Sequence, residues 1–246
     1  MSKKVEFKIK RYNPETAESS VADYEVPAKD GMTVLDAVNH IKDTQDSSLA
    51  HRWSCRMGIC GSCGAIVNGK PVLMCQTFCE NTKAPIRVEP MRNFPVIKDL
   101  VVDIDSAMEH LREAMPYTDI INRHASLDKE ILQTPKQQEK FKQTSQCIKC
   151  MLCYSACPVV GHNPKYIGPA AAALADRYLS DNHDQISDER MDSITEKNGI
   201  WLCSFIGECS VVCPKKVDPA VALQRLKVMG VLHSAKKIIS KRPKKS

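Results

Sequence analysis

Residues 147–158 read CIKCMLCYSACP, four cysteines spaced C-x2-C-x2-C-x3-C and closed by Pro158. This spacing holds cubane iron–sulfur clusters: three cysteines on a tight turn cap one cluster and the fourth reaches a second. A single copy is therefore unsatisfied, and its complement lies at 203–214, CSFIGECSVVCP. There Cys203, Cys209 and Cys213 precede Pro214, but isoleucine stands at 206, where a complete run carries another cysteine. Because Cys213-Pro214 mirrors Cys157-Pro158, Cys213 is expected to cross over and join Cys147, Cys150 and Cys153 around a [4Fe–4S] cluster. Cys157, Cys203 and Cys209 remain for the other. A cube with one unligated corner tends to lose that iron, so three thiolates predict [3Fe–4S], with a buried Ile206 excluding water from the open corner. The opposed reading is a damaged [4Fe–4S] site with a solvent ligand.

Upstream, Cys55-RMGI-Cys60-GS-Cys63, with Cys75 further on, has the C-x4-C-x2-C…C spacing of a [2Fe–2S] site. Gly58, Gly61 and Gly64 lie among these cysteines. Lacking a Cβ, they let the backbone wrap closely and aim amides at sulfur, and such hydrogen bonds raise the cluster potential. Structural zinc sites more often use paired C-x2-C units. Four, four and three ligands account for eleven of the twelve cysteines. Cys79 is left over and reads as a buried thiol.

The two halves of the chain differ in period. VEFKIKRY (5–12) alternates as a half-buried strand. ADYEVPA (22–28) offers a second strand after the Asn13-Pro14 turn, and Thr33 caps a helix running through Val34, Leu35, Val38 and Ile41. GAIVNGKPVLM (64–74) is a hairpin about Asn68-Gly69, the pair favoured in a type I′ turn, and PIRVEP (85–90) adds a strand. Beyond residue 104 the period lengthens to that of helices: 106–115, 135–143, 168–179, 188–197, and a last helix with Asp218 as N-cap and Pro219 at its first position. The expected class is α+β. A β-grasp plant-type ferredoxin domain (1–104) precedes a mainly helical, bacterial-ferredoxin-like domain (105–246) with its cysteines in two runs between helices.

Hydrophobic content of 43% and charged content of 26% fit a globular protein. No apolar run is long enough to span a bilayer, and MSKKVEFKIKRY has charges inside any apolar stretch, so no secretory signal is expected. The formal charge of +6 counts cysteines as neutral. Three clusters at roughly −2 each with their thiolates bring the total near zero, which argues against nucleic acid as a partner. The terminal AKKIISKRPKKS concentrates Lys236, Lys237, Lys241, Arg242, Lys244 and Lys245, read as a solvated tail or as a contact for anionic headgroups. A nucleotide-binding glycine fingerprint and a nucleophile–base pair are both missing, and the seven histidines have no metal spacing. His51 beside Arg52 reads as a protein contact. Three clusters without a substrate site describe a wire.

Taken together, RWSCRMGICGSCG, NFPVIKDLVVD, CIKCMLCYSACP, IGPAAAALADRY and CPKKVDP resemble the iron–sulfur subunit of succinate dehydrogenase and quinol:fumarate reductase. The resemblance spans nearly the whole chain, and RYNPE with NFPVIKDLVVD leans toward fumarate reductase. It implies an electron-transfer subunit between a partner that carries FAD and the dicarboxylate site, and an integral membrane anchor that binds quinone. The subunit is then peripheral, on the cytoplasmic membrane face. It also implies that the [3Fe–4S] cluster lies nearest the quinone, here menaquinone, whose low potential favours fumarate reduction. Pro158, Ile206 and Lys227 match residues lining the quinone site. His162 stands where tryptophan is common and Ser204 where histidine is common, so a tryptophan hydrogen bond to quinone is not carried over. His162 also reads as a surface-loop histidine, and Lys227 as a solvated lysine. Three other readings remain at this level: the succinate-oxidising direction, a ferredoxin-like subunit of another dehydrogenase, and a zinc module whose basic tail binds nucleic acid.

Overall fold

The computed structural model describes residues 4–118, 130 and 132–240. The N-terminal elements are β1 (Lys4–Asn13), β2 (Glu18–Pro27), α1 (Val34–Thr44), β3 (Gly64–Val67), β4 (Lys70–Leu73), β5 (Ile86–Glu89), β6 (Val96–Lys98) and β7 (Val101–Val102). Helices follow: α2 (Asp105–Glu113), α3 (Pro135–Lys142), α4 (Leu152–Ala156), α5 (Pro158–His162), α6 (Gly168–Leu179), α7 (Ser187–Ile194), α8 (Glu208–Val211) and α9 (Pro219–Ser240). These form two compact units. One comprises Met1–Ser106 with the short segments Ile148–Ala156 and Val211–Pro214; the other comprises Ala107–Cys147, Cys157–Ser210 and Lys215–Ser246.

The first unit is built on a five-stranded sheet in the order β2-β1-β5-β3-β4. β1 and β5 run parallel, with Phe7 opposite Ile86 and Ile9 opposite Val88; the other pairs are antiparallel. Phe7, Ile9, Ile66, Ile86 and Val88 are buried, and α1 adds Val34, Leu35, Ala37, Val38 and Ile41 to the same core. Thr33 forms a full capping box with Asp36 at the start of α1. Asn68 and Gly69 both have positive φ (46° and 84°), as a type I′ turn requires. Asn68 also ties the hairpin to β5, its Oδ1 accepting from the Arg87 amide at 2.8 Å. β2 begins four residues before the expected stretch. Its register with β1 continues out to Asn13–Glu18, where exposed polar residues carry no period-two signal.

The small β6–β7 hairpin does not announce itself as strands in the sequence. Its turn residue Asp99 has φ 48° and a side chain only 2% exposed. That carboxylate accepts from Arg11 Nε (2.9 Å), the Tyr12 amide (3.1 Å) and the Ala50 amide (2.8 Å). One buried anion thus fixes β1 and the segment that leads into the first cysteine run. Arg11 also bonds Asp46, which accepts from the Tyr24 hydroxyl (2.7 Å) and from Ser48 Oγ (2.6 Å).

Two glycines of the cysteine run need their missing side chains. Gly58 has φ 69°, and a Cβ there would meet the Gln76 side chain at 3.0 Å. Gly61 has φ 74°, and a Cβ would fall 2.8 Å from Cys150 Cβ and 2.9 Å from its Cα. The segment 148–156 is held there by the Arg92 amide on Ser155 Oγ (2.9 Å) and Asn93 Nδ2 on the Tyr154 carbonyl (2.8 Å).

The second unit centres on α6, whose residues Gly168–Asp176 are all buried. α9 packs along it through Ala222, Leu223 and Leu226, and Arg225 clasps the fully buried Asp176 with two hydrogen bonds. Burial raises the Asp176 pKa, while Arg225 opposes that rise. Arg190 on α7, 0% exposed, pairs with Asp184 and donates to the carbonyls of Ala114, Met115 and Tyr117, anchoring the chain after α2. Asp218 caps α9 by accepting from the Val221 amide (3.0 Å), with Pro219 as its first residue. Four of the basic tail residues, Lys241, Arg242, Lys244 and Lys245, lie outside the described residues.

Hydrogen bonds from Ser48 and Tyr24, then from Arg11, hold the Asp46 carboxyl well below the ordinary carboxylate range. Its contribution to stability is therefore present above the unfolded-state value of about 4 and is lost as pH falls through the lower folded-state value. Asp46→Asn should melt below wild type at neutral pH, and the gap should narrow as pH drops below about 4; melting curves across that range check it. Gly61→Ala adds left-handed strain and a backbone overlap, an expected destabilisation on the order of 3 kcal/mol. Gly69→Ala meets nothing within 4 Å and should cost only about 1 kcal/mol, so thermal denaturation of the two variants separates overlap from strain.

Candidate iron–sulfur sites

The first cysteine run follows α1 on a firmly pinned approach: Lys42 Nζ donates to the Leu49 carbonyl at 2.7 Å, and His51 pairs with Asn39 at 2.7 Å. His51 is thus a protein contact, as its sequence context implies. Arg56, Gly58 and Gly61 take positive φ and coil the loop back on itself. The coil aims amides at sulfur: Cys55 Sγ accepts from Met57 (3.5 Å), Ile59 (3.3 Å) and Cys60 (3.2 Å), and Cys60 Sγ accepts from the Cys55 amide (3.5 Å). Those amides, led by that of Cys60, lower the Cys55 thiol to about 6. Cys63 and Cys75 form the buried side of the set. Burial, with Cys75 and Cys60 close by, pushes the Cys63 thiol up to about 12. The loop therefore brings Cys55, Cys60, Cys63 and Cys75 together, with a sulfur cradle already formed on its open side.

Cys79 stands apart from them in a short turn, 6% exposed, its amide donating to the Met32 carbonyl at 2.9 Å. Burial, then the charge of Asp36, raises its thiol to about 11. It is the buried thiol that elimination leaves over.

In the second run Lys149 and Met151 have positive φ (56° and 63°) and turn the chain around Cys150. Cys150 and Cys153 share the first unit with Cys213, whereas Cys147 closes the preceding segment of the second unit. Cys157, Cys203 and Cys209 belong to the second unit, so the division separates Cys213 from its sequence neighbour Cys209. None of the twelve cysteines is joined in a disulfide.

Cys157, Cys203 and Cys209 line one hollow, together with Pro158, Tyr166 and Ile206. Cys157 precedes α5, Cys209 sits on α8, and Cys203 ends a short turn. Phe205 (φ 58°) and Gly207 (φ 88°) flank Ile206, and the Phe205 amide points at Cys203 Sγ (3.4 Å). Burial raises the thiols of Cys157 and Cys209, the latter to about 11, and the charges of nearby partner cysteines push the same way. Tyr166 is the polar residue that sequence reasoning missed. It faces the same three cysteines, and burial followed by their charge drives its pKa far up.

Ile206 differs from expectation. It is 59% exposed and sits at the rim, because the left-handed residues on either side turn it outward. Any exclusion of water by this side chain requires a surface laid over it. Pro158 and Ser204 also line the hollow, while His162, at the end of α5, is exposed and lies outside its lining. Lys227 is not simply solvated: from α9 its Nζ donates to the Cys203 carbonyl at 2.7 Å. In the segment that carries Cys203, Trp201, Leu202 and Phe205 are exposed, and further along α9 so are Val228, Val231, Leu232, Ile238 and Ile239. Among the described residues, no helix is long and apolar enough to cross a membrane.

Residues 6–109 match the family described as 2Fe-2S iron-sulfur cluster binding domain, and residues 143–217 match the 4Fe-4S dicluster domain. The chain is 47% identical over 241 residues to the fumarate reductase iron-sulfur subunit of Mycobacterium tuberculosis, covering 97% of this chain and 98% of that protein. It is 34% identical over 225 residues to the succinate dehydrogenase iron-sulfur subunit of Coxiella burnetii, covering 90% and 94%. A chain in the solved Mycobacterium smegmatis Sdh1 complex in the apo form superposes with a TM-score of 0.81 at 28% identity, covering 94% of this chain and 97% of that one. The amide cradle, the three cysteines around one hollow and these likenesses converge: the chain belongs to the iron–sulfur subunit family of fumarate reductase and succinate dehydrogenase.

Proposed function

We propose that the chain relays single electrons between a membrane quinone, menaquinone, and the FAD of a partner subunit that interconverts fumarate and succinate. The dicarboxylate site then lies on that partner. The assigned ligands are Cys55, Cys60, Cys63 and Cys75 for [2Fe–2S]; Cys147, Cys150, Cys153 and Cys213 for [4Fe–4S]; and Cys157, Cys203 and Cys209 for [3Fe–4S]. In functional terms residues 1–104 carry the first cluster and residues 105–246 the other two. Bound clusters supply one-electron storage, and protein dipoles and burial set their potentials.

The observation that carries the assignment is the meeting of Cys157, Cys203 and Cys209 around one hollow with an isoleucine, not a fourth thiol, at its rim. Lys227 supports it by tying α9 to the carbonyl of Cys203. Quinone is expected at that rim, against Pro158, Ser204 and Ile206, with Lys227 behind them and His162 further out. The exposed apolar residues of 201–206 and α9 are the surface offered to an integral membrane anchor, which would hold the subunit peripherally on the cytoplasmic face. The 34% identity to a succinate dehydrogenase subunit favours one second reading, the same relay running from succinate to quinone.

The purified complex should contain iron and sulfide and give a [3Fe–4S] paramagnetic resonance signal when oxidised, with two further cluster signals on reduction. Zinc in place of iron overturns the proposal. Ile206→Cys supplies a fourth thiolate and should replace the oxidised three-iron signal by that of a reduced four-iron cluster. An unchanged three-iron spectrum rejects the ligand assignment at this site.

A further inference from the structure

The hollow lined by Cys157, Cys203 and Cys209 holds one polar group that ligand assignment leaves unused. Tyr166 is 1% exposed, and its hydroxyl faces Cys203 and finds no oxygen or nitrogen partner among the described residues. A buried hydroxyl is costly unless it is hydrogen-bonded, and packing alone does not call for one, because phenylalanine fills nearly the same volume. The ring has little freedom to swing away. The Tyr166 amide donates to the Asn163 carbonyl at 3.0 Å, the Ile167 amide donates to Asn198 at 2.9 Å, and the buried α6 begins at the next residue. Much of the remaining lining is apolar, including Val159, Pro169 and Leu223, whereas the groups that the phenol faces are the thiols of Cys203, Cys157 and Cys209.

We propose that the Tyr166 hydroxyl donates a hydrogen bond to a sulfur of the [3Fe–4S] group held by Cys157, Cys203 and Cys209, and so raises that group's reduction potential. The inference rests on the ligand assignment of the preceding section. The phenol proton stays on its oxygen throughout, and a single electron from the quinone side enters the iron–sulfur group. The added negative charge strengthens a hydrogen bond donated to sulfur, so the reduced state gains more than the oxidised one. Tyr166 is thereby a tuning residue: it sets how readily the terminal site accepts an electron from quinol without itself reacting.

The test is a potentiometric titration of the oxidised three-iron signal in the assembled complex. In Tyr166→Phe that signal should keep its intensity and titrate at a lower potential, with the other two clusters unmoved. An unchanged potential, or an equal shift at all three clusters, overturns the proposal. If Tyr166→Phe assembles without the cluster, site-specific 3-fluorotyrosine at position 166 decides, since a more acidic phenol is a stronger donor and should raise the potential. No rise there also overturns it. Failure of the underlying assignment looks different, because wild type itself would then lack the three-iron signal.

Discussion

The backbone of each cysteine run has to reverse within two or three residues, and left-handed residues between the cysteines make that reversal. Arg56, Gly58 and Gly61 do so in the first run, Lys149 and Met151 in the second, and Phe205 and Gly207 in the third. Four of these seven are not glycine, and each such residue costs roughly 1–2 kcal/mol in this conformation. The strain is tolerated where the surroundings over-determine it. In the first run the surroundings are visible: Asp99 fixes the Ala50 amide upstream, Gly61 lies against Cys150, and three amides converge on Cys55 Sγ. The sheet, the β6–β7 hairpin and segment 148–156 all act to hold that turn.

The same constraint explains the mixed exposure of the thiols. A loop that aims amides outward at Cys55 necessarily turns its other flank, Cys63 and Cys75, into the core. The two flanks then separate electrostatically, Cys55 at about 6 and Cys63 at about 12. A metal group that binds thiolates must displace protons from the buried flank, while the amides around Cys55 favour its thiolate. In the third site burial raises the Cys209 thiol to about 11, and the Phe205 amide points at Cys203 Sγ.

Much of this was legible in the sequence wherever one local signal decides the outcome. Asn68-Gly69, the Thr33 capping box and Asp218-Pro219 each specify a turn or terminus by their own chemistry. Spacing and the missing thiol at 206 set Cys157 with Cys203 and Cys209, and the three line one hollow. α4, α5 and α8, at four or five residues, were not legible because they fall below the length at which helical periodicity or nucleation has meaning. Asp99 and Tyr166 escaped for a different reason. Each acts through partners far away in sequence, and an aspartate in KDL or a tyrosine in NPKYIG carries no mark of burial. Ile206 was identified by position but misjudged in exposure, since hydrophobicity predicts burial only when neighbouring φ angles do not turn the residue outward.

α9 carries the argument from fold to assembly. One face, through Ala222, Leu223, Leu226 and Gly230, packs into the second unit, and Gly230 lets Trp201 approach so closely that a Cβ would stand 3.0 Å from its ring. Residues Val228, Val231, Leu232, Ile238 and Ile239 are apolar too, yet exposed. A helix apolar around most of its circumference is stable in water only when a second surface covers it. That uncovered face lies on the same helix that Lys227 fixes to the Cys203 carbonyl, in the loop that carries exposed Phe205 and Ile206. On the proposed reading, a partner surface that covers the helix near Lys227 would also cap the rim of the hollow, because Lys227 ties that stretch of α9 to the Cys203 loop.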